Sequence, residues 1–218
     1  MERIYAFLPS VLAIAFIASV TFLYLKLVIK HFGSSFKSVE WHEKNQWKVT
    51  WTFGVPKVNV LAPAVEELIF RAPLVIAFSS MSSTAWYGVF ISGGLFALTH
   101  WFGKQVNILE VFYARKNGHH KSDDMMEEVN RLHKEKGKMI MVRKALHVVF
   151  TLPLGILAGY YGIKYQSVWI AFGIHLVWNL VMPIFLSILM ILGMLIFAGT
   201  SPLLHGLRRK WRRFGGAH

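Results

Sequence analysis

The sequence predicts an all-α protein, a polytopic transmembrane helical bundle with about six apolar segments. Hydrophobic residues make up 55% of the 218 residues, and charged residues make up only 16%. The mean hydropathy is +0.45, which is typical of a chain that places much of its length in lipid. We therefore expect an integral, multi-pass membrane protein in which residues 1–218 form a single membrane-embedded domain.

The apolar segments are separated by short turns or by polar stretches. A Ser/Thr-rich turn joins the second segment to the third, which predicts an antiparallel hairpin with close helix approach at Gly93 and Gly94. The last segment exceeds one crossing, since at about 1.5 Å per residue it is longer than a ~30 Å hydrocarbon core, and Pro183 predicts its break. In chain order the segments lie at residues 4–29, 58–80, 85–102, 145–163 and 168–198.

The polar segments predict the orientation of the chain. Residues 104–144 are expected to form an extramembrane loop with a short amphipathic helix at residues 125–136, and residues 203–218 form a basic C-terminal tail. The segments 32–57 and 104–144 together carry fourteen Lys and Arg residues. By the positive-inside rule their side of the membrane is predicted to be cytoplasmic.

The net charge of +13 bears on the partners of the protein. Because the basic residues lie in connecting segments and in the tail, we expect membrane lipids as partners and no nucleic acid. Cysteine is absent. Its absence excludes a disulfide framework, thiolate metal ligands and a cysteine nucleophile.

Glu66 and Glu67 are the only acidic residues within a predicted span. A charge held in a span is costly, so its presence suggests a function. Glu67 and Arg71 are four residues apart on a helix and can form an ion pair. Glu66 points about 100° away around the same helix and is left without this partner.

Polar residues on two other spans have the same four-residue spacing. Phe96 and His100 lie on the third span, and His175 and Asn179 lie on the fifth. When the spans alternate in direction, Glu66 lies at a similar depth to both histidines and to Asn179. We therefore expect these four polar residues to face one cavity that opens toward the long loops.

The three motifs, Glu66–Arg71, Phe96–His100 and His175–Asn179, resemble the EExxxR, FxxxH and HxxxN motifs of the CPBP family. This family comprises intramembrane endopeptidases that include the CAAX prenyl proteases and the bacteriocin-processing proteins. The resemblance covers residues 61–183, and the long charged loop between the second and third motifs departs from the family pattern. The resemblance implies that residues 58–183 form a catalytic helical core.

The resemblance also implies a mechanism and a substrate class. Glu66 would be the general base that takes a proton from water, and His100 would help to hold that water. His175 and Asn179 would stabilise the oxyanion with hydrogen bonds. The substrate would be a peptide or a lipidated peptide, such as a prenylated CAAX terminus, cut near the membrane surface by an active site that faces the cytoplasm.

Glu67 and Arg71 are expected to support the site rather than to react, since an internally neutralised pair is the simpler account of a buried acid and base. No cofactor is favoured. Zinc is the alternative, because Glu66, His100 and His175 could ligate it with an open position for water. His147, in the fourth span, matches no motif and is predicted to be an interfacial or packing residue rather than a ligand.

Two functions of another class use the same buried polar residues. A catalytically silent membrane scaffold could keep the cluster without hydrolysis. An ion or proton transporter also holds charged groups in its spans, but the sequence shows no internal repeat and its polar residues cluster at one level. An endopeptidase is therefore the favoured interpretation.

Overall fold

The computed structural model describes residues 2–103, 106, 108–185, 188, 191 and 192. Within these residues every regular element is helical, which confirms the predicted all-α class. The helices are α1 Glu2–Phe32, α2 Val39–Lys44, α3 Gln46–Val49, α4 Ala62–Phe70, α5 Ala72–Ala77, α6 Ser83–Thr99, α7 Ile108–Lys116, α8 Met125–Glu135, α9 Gly137–Lys164 and α10 Val168–Phe185. The predicted basic tail lies outside the described residues.

The chain divides into two compact units, Met1–Leu176 and Val177–His218. The first unit holds α1 to α9 and the beginning of α10. A 3-10 turn, Gly33–Lys37, follows α1, and two π-helical segments, Thr50–Gly54 and Lys57–Leu61, lie between α3 and α4. That the whole chain forms one membrane-embedded domain stays a prediction.

Three of the described helices are long and apolar enough to cross a membrane by length and composition, namely Phe7–Lys37, Gly137–Lys164 and Val168–Phe185. They agree with the first, fourth and fifth predicted segments. The prediction of about six apolar segments is not confirmed. The second and third predicted segments, which make up the predicted hairpin, do not form helices long enough to cross a membrane, for different physical reasons.

The second predicted span is divided into α4 and α5 at Arg71. Pro73 has no amide hydrogen to donate to the preceding turn, and Arg71 departs from regular helical geometry with a φ of −108°. The third span is α6, whose 17 residues extend about 25 Å, less than the hydrocarbon core of a bilayer.

The fourth and fifth spans also differ from their predicted bounds. Helix α9 begins at Gly137, earlier than the predicted residue 145, since the sequence between them keeps a helical pattern. Helix α10 continues through Pro183 to Phe185, so the break predicted at Pro183 is not found there. A proline within a membrane helix removes one hydrogen bond and is tolerated where neighbouring groups compensate.

The two polar segments pack against each other to form one layer, called here the polar layer, which comprises residues 33–49 and 108–135. The Val39 amide donates to the Asp123 carbonyl at 2.7 Å. Arg115 pairs with Glu40, Glu43 and Asp123 at 3.1 to 3.3 Å. These contacts place the two loops on the same side, as their charge predicted; that this side is cytoplasmic stays a prediction.

Glu128 fixes the loop that precedes α8, the predicted amphipathic helix. Its side chain is almost fully buried. It accepts hydrogen bonds from the backbone amides of Lys121 and Ser122, both at 2.8 Å, and from the guanidinium of Arg131 at 2.7 Å. Burial acts to raise the pKa of Glu128, but Arg131 and the two amides outweigh it and hold the pKa below its ordinary value. The loop conformation therefore depends on an ionised Glu128.

Helices α6 and α9 approach each other closely at two glycines. A Cβ atom on Gly93 would lie 3.2 Å from the backbone of both Gly155 and Ile156, whereas a Cβ on Gly94 would meet nothing within 4 Å. The close approach predicted at these glycines thus occurs at Gly93 alone and is made with α9 rather than within the hairpin. The hairpin helices are neighbours through a 2.8 Å hydrogen bond from Ser92 Oγ to the Phe70 carbonyl.

Gly93→Ala should destabilise the protein, because the added methyl group would press on the backbone of α9, where no rotamer change can relieve the contact. The expected cost is about 1–3 kcal/mol. Gly94→Ala is the matched control and should be neutral or stabilising, since its methyl group enters open space and alanine favours helix. Thermal unfolding in detergent measures both variants. Equal stability of the two would contradict the close α6–α9 contact.

Acidification should open the loop held by Glu128. Because its folded-state pKa is lowered, the carboxylate contributes stability that is complete above the ordinary value of 4.5 and is lost as the pH falls through the folded-state pKa. Hydrogen exchange at the Lys121 and Ser122 amides should lose protection, beyond the intrinsic pH effect, in acid and in Glu128→Ala at neutral pH. Glu127→Gln, at an exposed neighbour, is the control; a protected loop in Glu128→Ala would refute the role of this carboxylate.

Candidate functional site

The two glutamates of α4 have different environments because adjacent residues of a helix point about 100° apart. The side chain of Glu67 is fully buried, while 27% of the Glu66 side chain is exposed. The carboxylate of Glu66 is therefore partly open to the surroundings of the helices, and that of Glu67 is closed to them. From the Arg71 spacing the sequence predicted which of the two glutamates is paired, but not how far each is buried.

Arg71 pairs with Glu67, as predicted. Arg71 Nε lies 3.2 Å from Glu67 Oε2, and neither side chain is exposed. The ion pair does not meet the angular requirement of a hydrogen bond, and Arg71 Nη1 has no hydrogen-bond partner among the described residues. Arg71 Nη2 donates to the Gly155 carbonyl of α9 at 3.3 Å, so the arginine joins α4 to α9 as well as neutralising Glu67.

His175 of α10 completes a bridge through Glu67. Its Nδ1 lies 2.8 Å from Glu67 Oε1. Because a carboxylate only accepts, Nδ1 carries the hydrogen and donates it. The opposite nitrogen, Nε2, then points toward Glu66 and lies 3.5 Å from its Oε2. One buried carboxylate thus holds both Arg71 and His175 and aims the histidine at the exposed glutamate.

Phe96 lies at the centre of these groups. Its ring is fully buried, and the Arg71 guanidinium lies 4.3 Å from the ring centroid. The rings of His100 and His175 meet it edge-on at 5.0 and 5.5 Å. The predicted packing of Phe96 beneath His100 is therefore found, and the same ring also contacts His175 and Arg71.

His100 follows the last residue of α6. Its Nδ1 lies 3.1 Å from the Phe96 carbonyl, an arrangement in which Nδ1 donates and Nε2 remains an acceptor. The ring of His147 on α9 lies 4.7 Å from the ring of His100. The sequence predicted an interfacial or packing role for His147 because no motif contains it, and no signal in a single sequence places it beside His100.

The structure brings four of the predicted site residues into one connected network, Glu66, Glu67, Arg71 and His175, and it joins His100 to them through Phe96. Asn179 belongs to the second compact unit, so its place in the site stays a prediction. Among the described residues no group of three or more His, Asp or Glu side chains is arranged to hold a metal ion. Metal dependence therefore stays untested.

This arrangement supplies the elements of general base chemistry. A partly exposed carboxylate lies beside an imidazole whose orientation is fixed by a second, buried carboxylate. The burial of Glu67 and Arg71 removes them from contact with a substrate, so they orient the groups that can touch one.

Comparison with known protein families adds an independent finding. Residues 46–181 match a family model described as Type II CAAX prenyl endopeptidase Rce1-like. The matched region contains all three motifs and every predicted site residue. No curated protein and no solved structure matches the sequence.

Removing both partners of the Glu67–Arg71 pair should cost less stability than the two single removals add up to. Arg71→Met or Glu67→Leu alone leaves a buried charge without its counter-charge, at a cost of about 3–5 kcal/mol. The double variant leaves neither charge and should cost less than the sum of the two single variants.

The measurement is a double-mutant cycle from chemical unfolding in detergent. Lys44→Met, which removes one partner of the exposed Glu40–Lys44 pair, is the control and should cost less than about 1 kcal/mol. Strictly additive costs at Glu67 and Arg71 would show that the two side chains do not interact.

Proposed function

The chain belongs to the Rce1-like family of type II CAAX prenyl endopeptidases, and from that membership we propose that it hydrolyses a peptide bond near the membrane surface in prenylated, CAAX-type substrates. Family membership and the apolar helices identify an integral membrane protein of a protease family. The observation that carries the residue assignment is the 3.5 Å approach of His175 Nε2 to the partly exposed Glu66.

Glu66 is the proposed general base. It is the partly exposed carboxylate of the pair, and its neighbour Glu67 is already engaged by Arg71 and His175. Glu66 would take one proton from a water molecule while the water oxygen attacks the scissile carbonyl carbon. The product of this step is a tetrahedral intermediate with a negative oxygen.

His175 would accept this proton from Glu66. In the tautomer that Glu67 selects, Nε2 is an acceptor, so it can receive the proton from Glu66 across the short gap between them. The protonated ring then donates from Nε2 toward the oxyanion. The proton transfer to His175 returns Glu66 to its ionised form. When the carbon–nitrogen bond breaks, the proton passes from His175 Nε2 to the leaving amine, and the ring returns to its neutral tautomer.

His100 and Asn179 take the remaining roles. The His100 Nδ1 contact with the Phe96 carbonyl leaves Nε2 as the nitrogen that would accept a hydrogen bond from the attacking water. The Asn179 amide would donate to the oxyanion, a contribution of about 3 kcal/mol per donor in other hydrolases. The Asn179 role derives from the motif.

A catalytically silent scaffold is the second candidate function. The fully buried Glu67–Arg71 pair joins α4 to α9 and to α10, and such a network would stabilise the helices without any hydrolysis. The partial exposure of Glu66 supports the enzyme, because a purely structural network does not require a second carboxylate that is open to the surroundings.

Cleavage of a fluorogenic, prenylated CAAX peptide by the purified protein in detergent tests the proposal. Glu66→Gln keeps the shape of the side chain and removes its basicity, so kcat/KM should fall by about 10²–10⁴-fold. Glu43→Gln, at an exposed acid of the polar layer, should leave cleavage unchanged. Both variants should unfold at the temperature of the wild type.

Activity that survives a chelator would support the metal-free reaction, and activity that the chelator abolishes and zinc restores would assign zinc instead. A well-folded wild type that cleaves no prenylated peptide would overturn the prenyl-protease assignment. Full activity of Glu66→Gln would overturn the role of this glutamate.

A further inference from the structure

A groove separate from the candidate site lies between the last two turns of α1 and the segment 48–52. Its volume is about 430 Å³. Tyr24, Leu27 and Val28 line it on α1, and none of the described residues that line it is acidic. The groove takes no part in the network around Glu67.

The groove changes from apolar to basic along its length. Tyr24, Leu27, Val28 and His31 recur at the spacing of one helical face, and 65% of Leu27 is exposed within a helix apolar enough to cross a membrane. Toward the end of α1 the lining consists of His31 and Phe32 of the helix with Lys48 and Thr52 of the facing segment. An apolar wall therefore leads to a polar, cationic mouth.

Lys48 is available to an external anion. Its Nζ lies 5.0 Å from the centroid of the Phe32 ring, so the ammonium group contacts an aromatic face at the mouth. Lys44, one turn earlier on the chain, is instead paired with Glu40 at 2.6 Å. Lys48 thus has no acidic partner in the part of the chain that the structure describes, whereas Lys44 has one.

Two tryptophans indicate the depth of this mouth. Trp47 and Trp51 flank Lys48, their rings meet edge-on at 5.4 Å, and their exposed fractions are 75% and 53%. Tryptophan is enriched at the level of lipid headgroups, where one part of the ring contacts hydrocarbon and the other contacts water. Lys48 is therefore expected at the level of the lipid phosphates.

From the lining, the charge and this depth, we propose that the groove binds one anionic phospholipid. An acyl chain lies along Tyr24, Leu27 and Val28, and the phosphate contacts Lys48 and His31. A zwitterionic lipid offers the same chains without the net negative charge, so the groove should prefer the anionic headgroup. This site is independent of the proposed hydrolysis.

Native mass spectrometry of the detergent-purified full chain tests the site. Phosphatidylglycerol and phosphatidylcholine with identical acyl chains are titrated, and the wild type should bind phosphatidylglycerol more tightly. Lys48→Gln should weaken phosphatidylglycerol binding about fivefold, the effect of one lysine near a membrane surface. Lys44→Gln makes the same change of charge outside the groove and should retain wild-type affinity.

Leu27→Trp fills the apolar wall and should weaken binding of both lipids. A phosphatidylglycerol with a photoreactive acyl chain should label peptides that contain residues 24–28. Equal losses in Lys44→Gln and Lys48→Gln, or equal affinity for the two headgroups, would overturn the proposal. Displacement of the lipid by a prenylated peptide would also overturn it, because the groove would then belong to the substrate.

Discussion

The carboxylate of Glu67 is the contact on which the rest of the site depends. One oxygen faces Arg71 and the other accepts from His175, so a single side chain joins three helices once Arg71 reaches the Gly155 carbonyl. A buried carboxylate is costly unless its charge is balanced and its oxygens are engaged. Here the balancing groups are the same groups that orient the chemistry, and the helix packing and the site geometry are therefore one constraint.

Local spacing made part of this site predictable. Glu67 and Arg71 are four residues apart, and helix geometry alone brings such residues together. The same rule placed Phe96 below His100. The Glu67–His175 contact spans 108 residues, and no periodic pattern encodes a contact of that range. His147 was missed for the same reason, since only the packing of α6 on α9 brings it to His100.

The fold was predictable in class and less so in its elements. Composition predicted an all-helical membrane protein, and charge predicted that the two long loops lie on the same side. Both predictions were possible because composition and charge are averages over many residues. The number of crossings depends on single residues. Arg71 and Pro73 divide one predicted span, and α6 ends after 17 residues, features that hydropathy averaged over a window does not resolve. Gly93 was recognised as a close-packing residue, but its partner helix was not.

The order in which the network assembles follows from its spacing along the chain. Translation delivers Glu67 and Arg71 almost together, so α4 can form with its acid already neutralised by a residue one turn away. His175 emerges from the ribosome long afterwards, and Glu67 keeps one oxygen for it. During biosynthesis the early pair thus spares α4 the cost of a buried lone charge, while the arrival of α10 supplies the histidine that the second oxygen of Glu67 binds.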